Sequence, residues 1–246
     1  MKWKADFEDF LSGRTEGEVF DKSTLMILMK LMNRGVVDII DFPISTGKEG
    51  NVFRGKGKNG FVAVKIYRVN TVTFRNISKY LQYDGLSNVK KNRRSIIYAW
   101  SQKEFNNLSR LRRAGVRVPE PIANEGNVIV MEYIGTEEVP APLLKDVEMD
   151  EPERVFREVV DSISVMYKKA GLVHADLSEY NILFHEGPVI IDVGQTIKSD
   201  NPMAMEFLKR DISNISRFFG KFFKVDRDEV MKEILEEKNE IRENTA

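Results

Sequence analysis

The residues best equipped for chemistry lie in two neighbouring runs, Leu172-Val173-His174-Ala175-Asp176-Leu177-Ser178-Glu179-Tyr180-Asn181-Ile182-Leu183 and Val189-Ile190-Ile191-Asp192-Val193-Gly194. Asp176 and Asn181 have the spacing of H-x-D-x-x-x-x-N, and Asp192 ends an apolar strand a short distance on. A hydroxyl that accepts a phosphoryl group needs a carboxylate to orient it and take its proton, the role this spacing gives Asp176. Mg²⁺ prefers hard oxygen ligands, which the carboxylate of Asp192 and the amide carbonyl of Asn181 supply. His174 is read as a brace for the loop through packing and a hydrogen bond.

Two further features suit the same chemistry. Ser45-Thr46-Gly47-Lys48-Glu49-Gly50-Asn51-Val52-Phe53 is a turn of small residues between two strands. Its backbone amides can approach phosphates without interference from Cβ atoms, although it lacks the order of a Walker loop. Lys65 sits in the apolar strand Phe61-Val62-Ala63-Val64-Lys65-Ile66, at the interval expected of a hairpin partner of that turn. A half-buried ammonium needs an anion, and Glu104, the one acid in the central part of the helix that follows, is the candidate.

Elements that could position these residues are legible in the pattern. A helix is predicted with an amino-terminal cap at Ser23-Thr24 and a stop at Gly35, then strands at VVDII, NVFRG and FVAVKIY. Helical spacing returns from Ser95 to Arg113, GVRVPEPIA reads as a loop, and NVIVMEYI closes the β-rich part. Beyond it come a helix around Val155 to Ala170, short strands in NILF and VIIDV, and helices near Ala204 to Phe223 and Asp228 to Glu237. The expected fold is α+β and bilobal: a β-rich N-lobe with a preceding helical segment, residues 1–133, and a reduced helical C-lobe, residues 134–246, together one domain.

Composition narrows the function classes. The 246 residues are 42% hydrophobic and 31% charged, the balance of a soluble globular chain. Thirty-eight basic residues match thirty-eight acidic ones, so global charge gives no argument for nucleic-acid binding. The absence of cysteine excludes thiolate metal sites, disulfides and cysteine nucleophiles. The early acids of MKWKADFEDF spoil a signal-peptide core, and the expected location is cytoplasmic with no membrane contact. Locally, nine basic residues against one acid lie between Lys90 and Arg117. Lys90, Lys91, Arg93 and Arg94 are candidates for contact with nucleic-acid phosphates. The polar segment from Thr71 to Asn92 is long for a connection and is a candidate for self-phosphorylation, with Ser87 the best-placed hydroxyl of Thr71, Thr73, Ser78 and Ser87.

In order along the chain, STGKEGNVF, AVKIY, KEF, MEYIG, LVHADLSEYNIL and IDVGQ resemble the RIO family of atypical protein kinases, and its type-one branch in particular. The resemblance implies ATP and Mg²⁺, with Mn²⁺ as a substitute, bound between two lobes. It assigns phosphate cover to Ser45, Thr46, Gly47, Lys48, Glu49, Gly50 and Asn51, with Val52 beside them, and phosphate contact to Lys65 paired with Glu104. It gives adenine contacts to the backbone of Glu132 and Ile134, the base to Asp176 and the metal to Asn181 and Asp192. It also implies a serine-type protein kinase or an ATPase acting in maturation of the small ribosomal subunit, with the subunit precursor and its RNA as partners. Departures from ordinary protein kinases are alanine at 175, Asp192-Val193-Gly194 in the metal segment, and no A-P-E segment beyond Asp192, which leaves a conventional peptide groove unexpected. Two other readings share these residues: a small-molecule kinase of the aminoglycoside or choline type, which usually has histidine where this chain has Ser178, and an ATP-regulated assembly scaffold.

Overall fold

The computed structural model describes residues 21–47, 49–69, 77, 80, 81, 83 and 92–243, with side chains as far as residue 236. Two compact units divide the chain: residues 1–78, 88–105 and 121–133 form the first, and residues 79–87, 106–120 and 134–246 the second. Among the described residues no helix is long and apolar enough to cross a membrane.

The first unit is an antiparallel sheet with a helix on one face. Helix α1, Lys22–Asn33, starts at Asp21, whose Oδ1 accepts from the backbone N–H and the hydroxyl of Thr24, both at 2.8 Å. The cap is therefore Asp21 and not the predicted serine and threonine, because a carboxylate one residue before the helix reaches the free amides of its first turn. Gly35 ends the helix at φ +67°, the left-handed conformation expected of a terminating glycine. Thr24, Leu28 and Leu31, three and four residues apart, share the face that packs on the sheet core of Phe53, Val62, Val64, Ile66, Val128 and Val130.

Strands β1 (Ile39–Thr46), β2 (Gly50–Gly57), β3 (Gly60–Tyr67), β4 (Pro121–Glu125) and β5 (Val128–Glu132) pair in the order β1-β2-β3-β5-β4. Two expectations are corrected here. The first strand starts at Ile39 and not at Val36, because the amide of Val36 donates to Leu31 at 3.0 Å in the turn that closes α1. Pro121, Ile122 and Ala123, expected as loop, belong to an edge strand, residues 121–125, that starts on Pro121, a position where a missing N–H is tolerated. β3 lies at the centre, and its run from Val62 to Tyr67 is buried throughout. Helix α2, Arg93–Ala114, follows, its first part in the first unit and its last part in the second.

The second unit is mainly helical. Its elements are α3 (Pro152–Lys168), the short strands β6 (Leu172–Val173), β7 (Ile182–Phe184), β8 (Pro188–Ile190) and β9 (Ile197–Lys198), then α4 (Ala204–Phe219) and α5 (Arg227–Glu243). β6 pairs with β9, and β7 with β8. Proline at the start of α3 fills a position whose N–H would have no helical partner. Val155, Val159, Ile163 and Met166 give α3 one apolar stripe, and Phe156 meets Phe219 and Phe223 edge to face at 5.3 and 5.5 Å. Full burial of a side chain such as Phe219 contributes about 1.5–3 kcal/mol. That packing anchors α4, which in turn holds the loop carrying Asp176.

Candidate active site

The first unit contains a buried cation and a glycine turn. Lys65 on β3 and Glu104 on α2 form an ion pair with Nζ 2.7 Å from Oε1, their side chains only 11% and 2% exposed. Lys65 stands opposite Val52 in the β2–β3 register, which places the two on one face of the sheet. The turn between β1 and β2 is tight: the amide of Gly47 donates to Gly50 O at 2.9 Å. A Cβ on Gly50 would lie 2.6 Å from the carbonyl oxygen of Ile66, so no side chain fits there. Ser45 and Thr46 belong to the end of β1 and not to the turn itself. Asn51 is buried and its Oδ1 accepts from Arg68 at 3.2 Å, while the backbone of Glu49 accepts from the amide of Arg68 at 2.9 Å. Arg68 thus ties the turn to the end of β3. Lys48 lies outside the described residues. Glu132 is the last residue of β5, opposite Val62.

The second unit gathers the two polar runs. Its Ile134 accepts at its carbonyl from the amide of Ala141 at 3.0 Å. β6 leads into His174, which is buried and whose Nε2 lies 3.0 Å from the carbonyl oxygen of Ile191. Ala175 follows at φ +68°, a left-handed conformation that costs an L-residue roughly 1–2 kcal/mol. Asp211 on α4 holds that conformation, its two oxygens accepting from the amides of Ala175 and Leu177 at 2.8 and 2.9 Å. The neighbouring Arg210 donates to the carbonyl of Ala175. Asn181 donates through Nδ2 to the backbone oxygen of Asp176 at 2.8 Å, and Gln195 donates through Nε2 to Asp176 Oδ2 at 3.2 Å. Asp192 is exposed at φ +63°, ψ +46°, a left-handed position that aspartate tolerates better than most residues. The amide of Asn107 donates to Val193 O at 2.9 Å and pins the short 3₁₀ turn, Val193–Gln195, that follows.

The electrostatics follow from this clustering. Burial raises the Asp176 carboxyl above its ordinary range and the neighbouring Asp192 charge adds to that, against the lowering effects of Arg210 and of the Asn181 hydrogen bond. The Asp192 carboxylate and the amide carbonyl of Asn181, on the turns beside Asp176, form a hard-oxygen donor set. Among the described residues no group of three or more histidine, aspartate or glutamate side chains could hold a metal by themselves. Such a set fits Mg²⁺, which takes one or two carboxylates from a protein and its remaining ligands from phosphate oxygens and water.

Asp211 escaped the sequence reading. Its signal was an acid on an otherwise apolar stripe, among Phe207, Leu208, Ile212 and Ile215. Burial pushes its carboxyl from 3.8 up to about 7, in spite of the two amide donors and Arg210. The folded state therefore keeps a proton that the unfolded chain releases above pH 4. This contribution to stability is complete below about pH 3.8 and is lost as pH rises through about 7. Asp211→Asn is expected to flatten the fall in thermal stability between pH 5 and pH 7.5. Melting curves of the two proteins at those pH values check it, and an unchanged difference contradicts it.

A RIO domain family model matches residues 51–232. The RIO-type serine/threonine-protein kinase Rio1 of Haloferax volcanii is 44% identical over 211 residues, 85% of this chain and 72% of its own. The one from Thermoplasma acidophilum is 47% identical over 171 residues, 69% of this chain and 90% of its own. The human serine/threonine-protein kinase RIO1 is 42% identical, and there the match spans only 37% of the relative's length. Among solved structures, a Rio2 kinase-ADP/Mg²⁺-phosphoaspartate complex from Chaetomium thermophilum matches with TM-score 0.63 and 27% identity, covering 80% of this chain and 60% of that one. A second Rio2 kinase structure from the same organism has TM-score 0.67 and 26% identity, covering 84% and 66%. The order of motifs, the α+β architecture and the family match over residues 51–232 agree, and the chain belongs to the RIO family of protein kinases.

Proposed function

We propose that the protein transfers the γ-phosphoryl group of ATP to a serine hydroxyl, with Asp176 as the base that orients the hydroxyl and accepts its proton. Lys65, held by Glu104, orients the phosphates. The turn from Ser45 to Val52 covers them, the backbone of Glu132 and Ile134 receives the adenine, and Asn181 and Asp192 hold Mg²⁺ or Mn²⁺. The metal, when bound, neutralises charge on the phosphate oxygens. The observation that carries this reading is the Lys65–Glu104 pair. Desolvating two charges costs several kcal/mol each, and apolar side chains of similar volume often serve stability as well or better. A buried pair on a central strand next to a glycine turn therefore points to work done by the ammonium.

A second reading is supported by the phosphoaspartate of the Rio2 complex from Chaetomium thermophilum. In it a carboxylate of this chain, Asp176 or Asp192, attacks the γ-phosphorus, ADP leaves, and water later releases phosphate from the acyl phosphate. That cycle is an ATPase. One experiment separates the two: incubation with γ-labelled ATP and Mg²⁺, followed by treatment of the labelled protein with hydroxylamine. Hydroxylamine-resistant label on serine supports the kinase reading, and hydroxylamine-labile label supports the acyl phosphate. Absence of labelling and of phosphate release contradicts both.

For the partner we propose the small ribosomal subunit precursor and its RNA, in the cytoplasm. Of the basic residues named for that contact, Lys90 and Lys91 lie outside the described residues, as do the candidate acceptors Thr71, Thr73, Ser78 and Ser87. Arg93 is exposed, and Arg94 donates to Asp21 at 3.1 Å with its side chain 52% exposed. Counterion release makes affinity for subunit particles fall with salt. Changing all four basic residues to glutamine is expected to reduce that slope, and an unchanged slope assigns them no RNA contact.

A further inference from the structure

Gln195 touches the carboxylate on which the proposed reaction depends, and no role in that reaction is yet attached to it. Its amide lies 3.2 Å from Asp176 Oδ2. A carboxylate offers only acceptor atoms, so the NH₂ side of the amide must face it. The backbone beneath Gln195 is fixed on both sides. Before it, Val193 and Gly194 are buried and the carbonyl of Val193 is engaged by Asn107. After it, Thr196 and Ile197 are buried and Ile197 pairs with Val173, three residues ahead of Asp176 in the chain. A half-buried side chain on such a support returns to one place.

The other contacts around Asp176 act differently. Asp211 and Arg210 engage the backbone of Ala175 and Leu177 and fix the path of the loop. Asn181 donates to the backbone oxygen of Asp176 and also hydrogen-bonds its carboxylate. Gln195 reaches the carboxylate from the turn after Asp192, and its bond to Oδ2 leaves Oδ1 for an incoming hydroxyl. We propose that Gln195 is a positioning residue for phosphoryl transfer: its amide sets the rotation of the Asp176 carboxylate so that Oδ1 meets the acceptor hydroxyl. Orientation of reacting groups contributes to rate without contributing to nucleotide affinity. This proposal rests on the reading of Asp176 as the base.

The test is a double-mutant cycle read as transfer from labelled ATP to dephosphorylated casein, with ATP affinity measured by calorimetry. Gln195→Met keeps the length and removes the donor. It is expected to lower kcat by on the order of 10- to 100-fold, a part of what a positioned base contributes, and to leave KM and ATP affinity within about twofold. In an Asp176→Asn background the same change is expected to cost no more than about twofold, because the group it positions is no longer a base. Equal losses in both backgrounds, or a raised KM with kcat unchanged, overturn the proposal. Gln195→Glu, of the same length, places a charge against Asp176 and is expected to lose at least as much; it answers the question if the methionine variant fails to fold. Wild-type transfer by Asp176→Asn alone overturns the base assignment, and this proposal with it.

Discussion

Replacing Asp192 by asparagine is expected to slow phosphoryl transfer by on the order of 10³-fold, at the upper end of what loss of one preorganised electrostatic group costs. Asparagine is among the few residues that accept the left-handed conformation at φ +63°, so the turn into Val193–Gln195 is retained and the loss is one of charge. A single neutral amide oxygen replaces a carboxylate as a ligand for the hard cation, so the Mg²⁺ concentration for half-maximal rate should rise with the fall in rate. The Asp176 carboxyl, raised in part by the neighbouring Asp192 charge, should at the same time move back toward its ordinary range. A rate measured over a Mg²⁺ series checks the first claim, and near-normal transfer at ordinary Mg²⁺ contradicts the assignment of Asp192 as a ligand.

Lys65→Ala is expected to act on two levels. The phosphate-orienting cation is lost, which should reduce transfer by orders of magnitude. Glu104, with a side chain 2% exposed, is also left without the ammonium now 2.7 Å away. Removing one member of a buried pair costs about 3–5 kcal/mol, whereas replacing both by apolar groups of similar volume is often neutral. The single variant should therefore melt well below the wild type. Lys65→Met with Glu104→Leu should recover most of that stability while remaining inactive. Denaturant titrations of the three proteins beside their transfer rates separate the levels, and an active double variant removes Lys65 from the mechanism.

How much of this could be read from the sequence depended on the range of the interaction. Period and punctuation carried the elements: Thr24, Leu28 and Leu31 sit on one face of a helix whose pattern showed that face, and the run into Tyr67 is buried on both sides as its apolar content implies. Local competition for backbone groups was harder to see. Nothing in VVDII tells that the end of α1 claims the amide of Val36, and Asp21 outcompetes Ser23 and Thr24 for the cap only because its side chain reaches the right amide. In the site, Lys65, Glu104, Asp176, Asn181 and Asp192 could be named because their chemistry is tied to spacing within short runs. Asp211 and Gln195 act on the catalytic loop from 34 to 36 and from 19 residues away, across packing that a one-dimensional pattern does not encode. The buried acid on the apolar stripe of α4 was the visible trace of the first, and the last residue of IDVGQ that of the second.

That Asp176 serves the transfer step while other residues bind the nucleotide is tested most directly by a paired measurement on Asp176→Asn. Calorimetric titration with ATP and Mg²⁺ is compared with single-turnover phosphoryl transfer in the same preparation. Nucleotide affinity is expected to stay within about twofold of wild type while transfer falls by roughly 10²- to 10⁴-fold, the range of a general base. Lost affinity with proportionately lost transfer, or transfer at the wild-type rate, would contradict the assignment of Asp176 as the base.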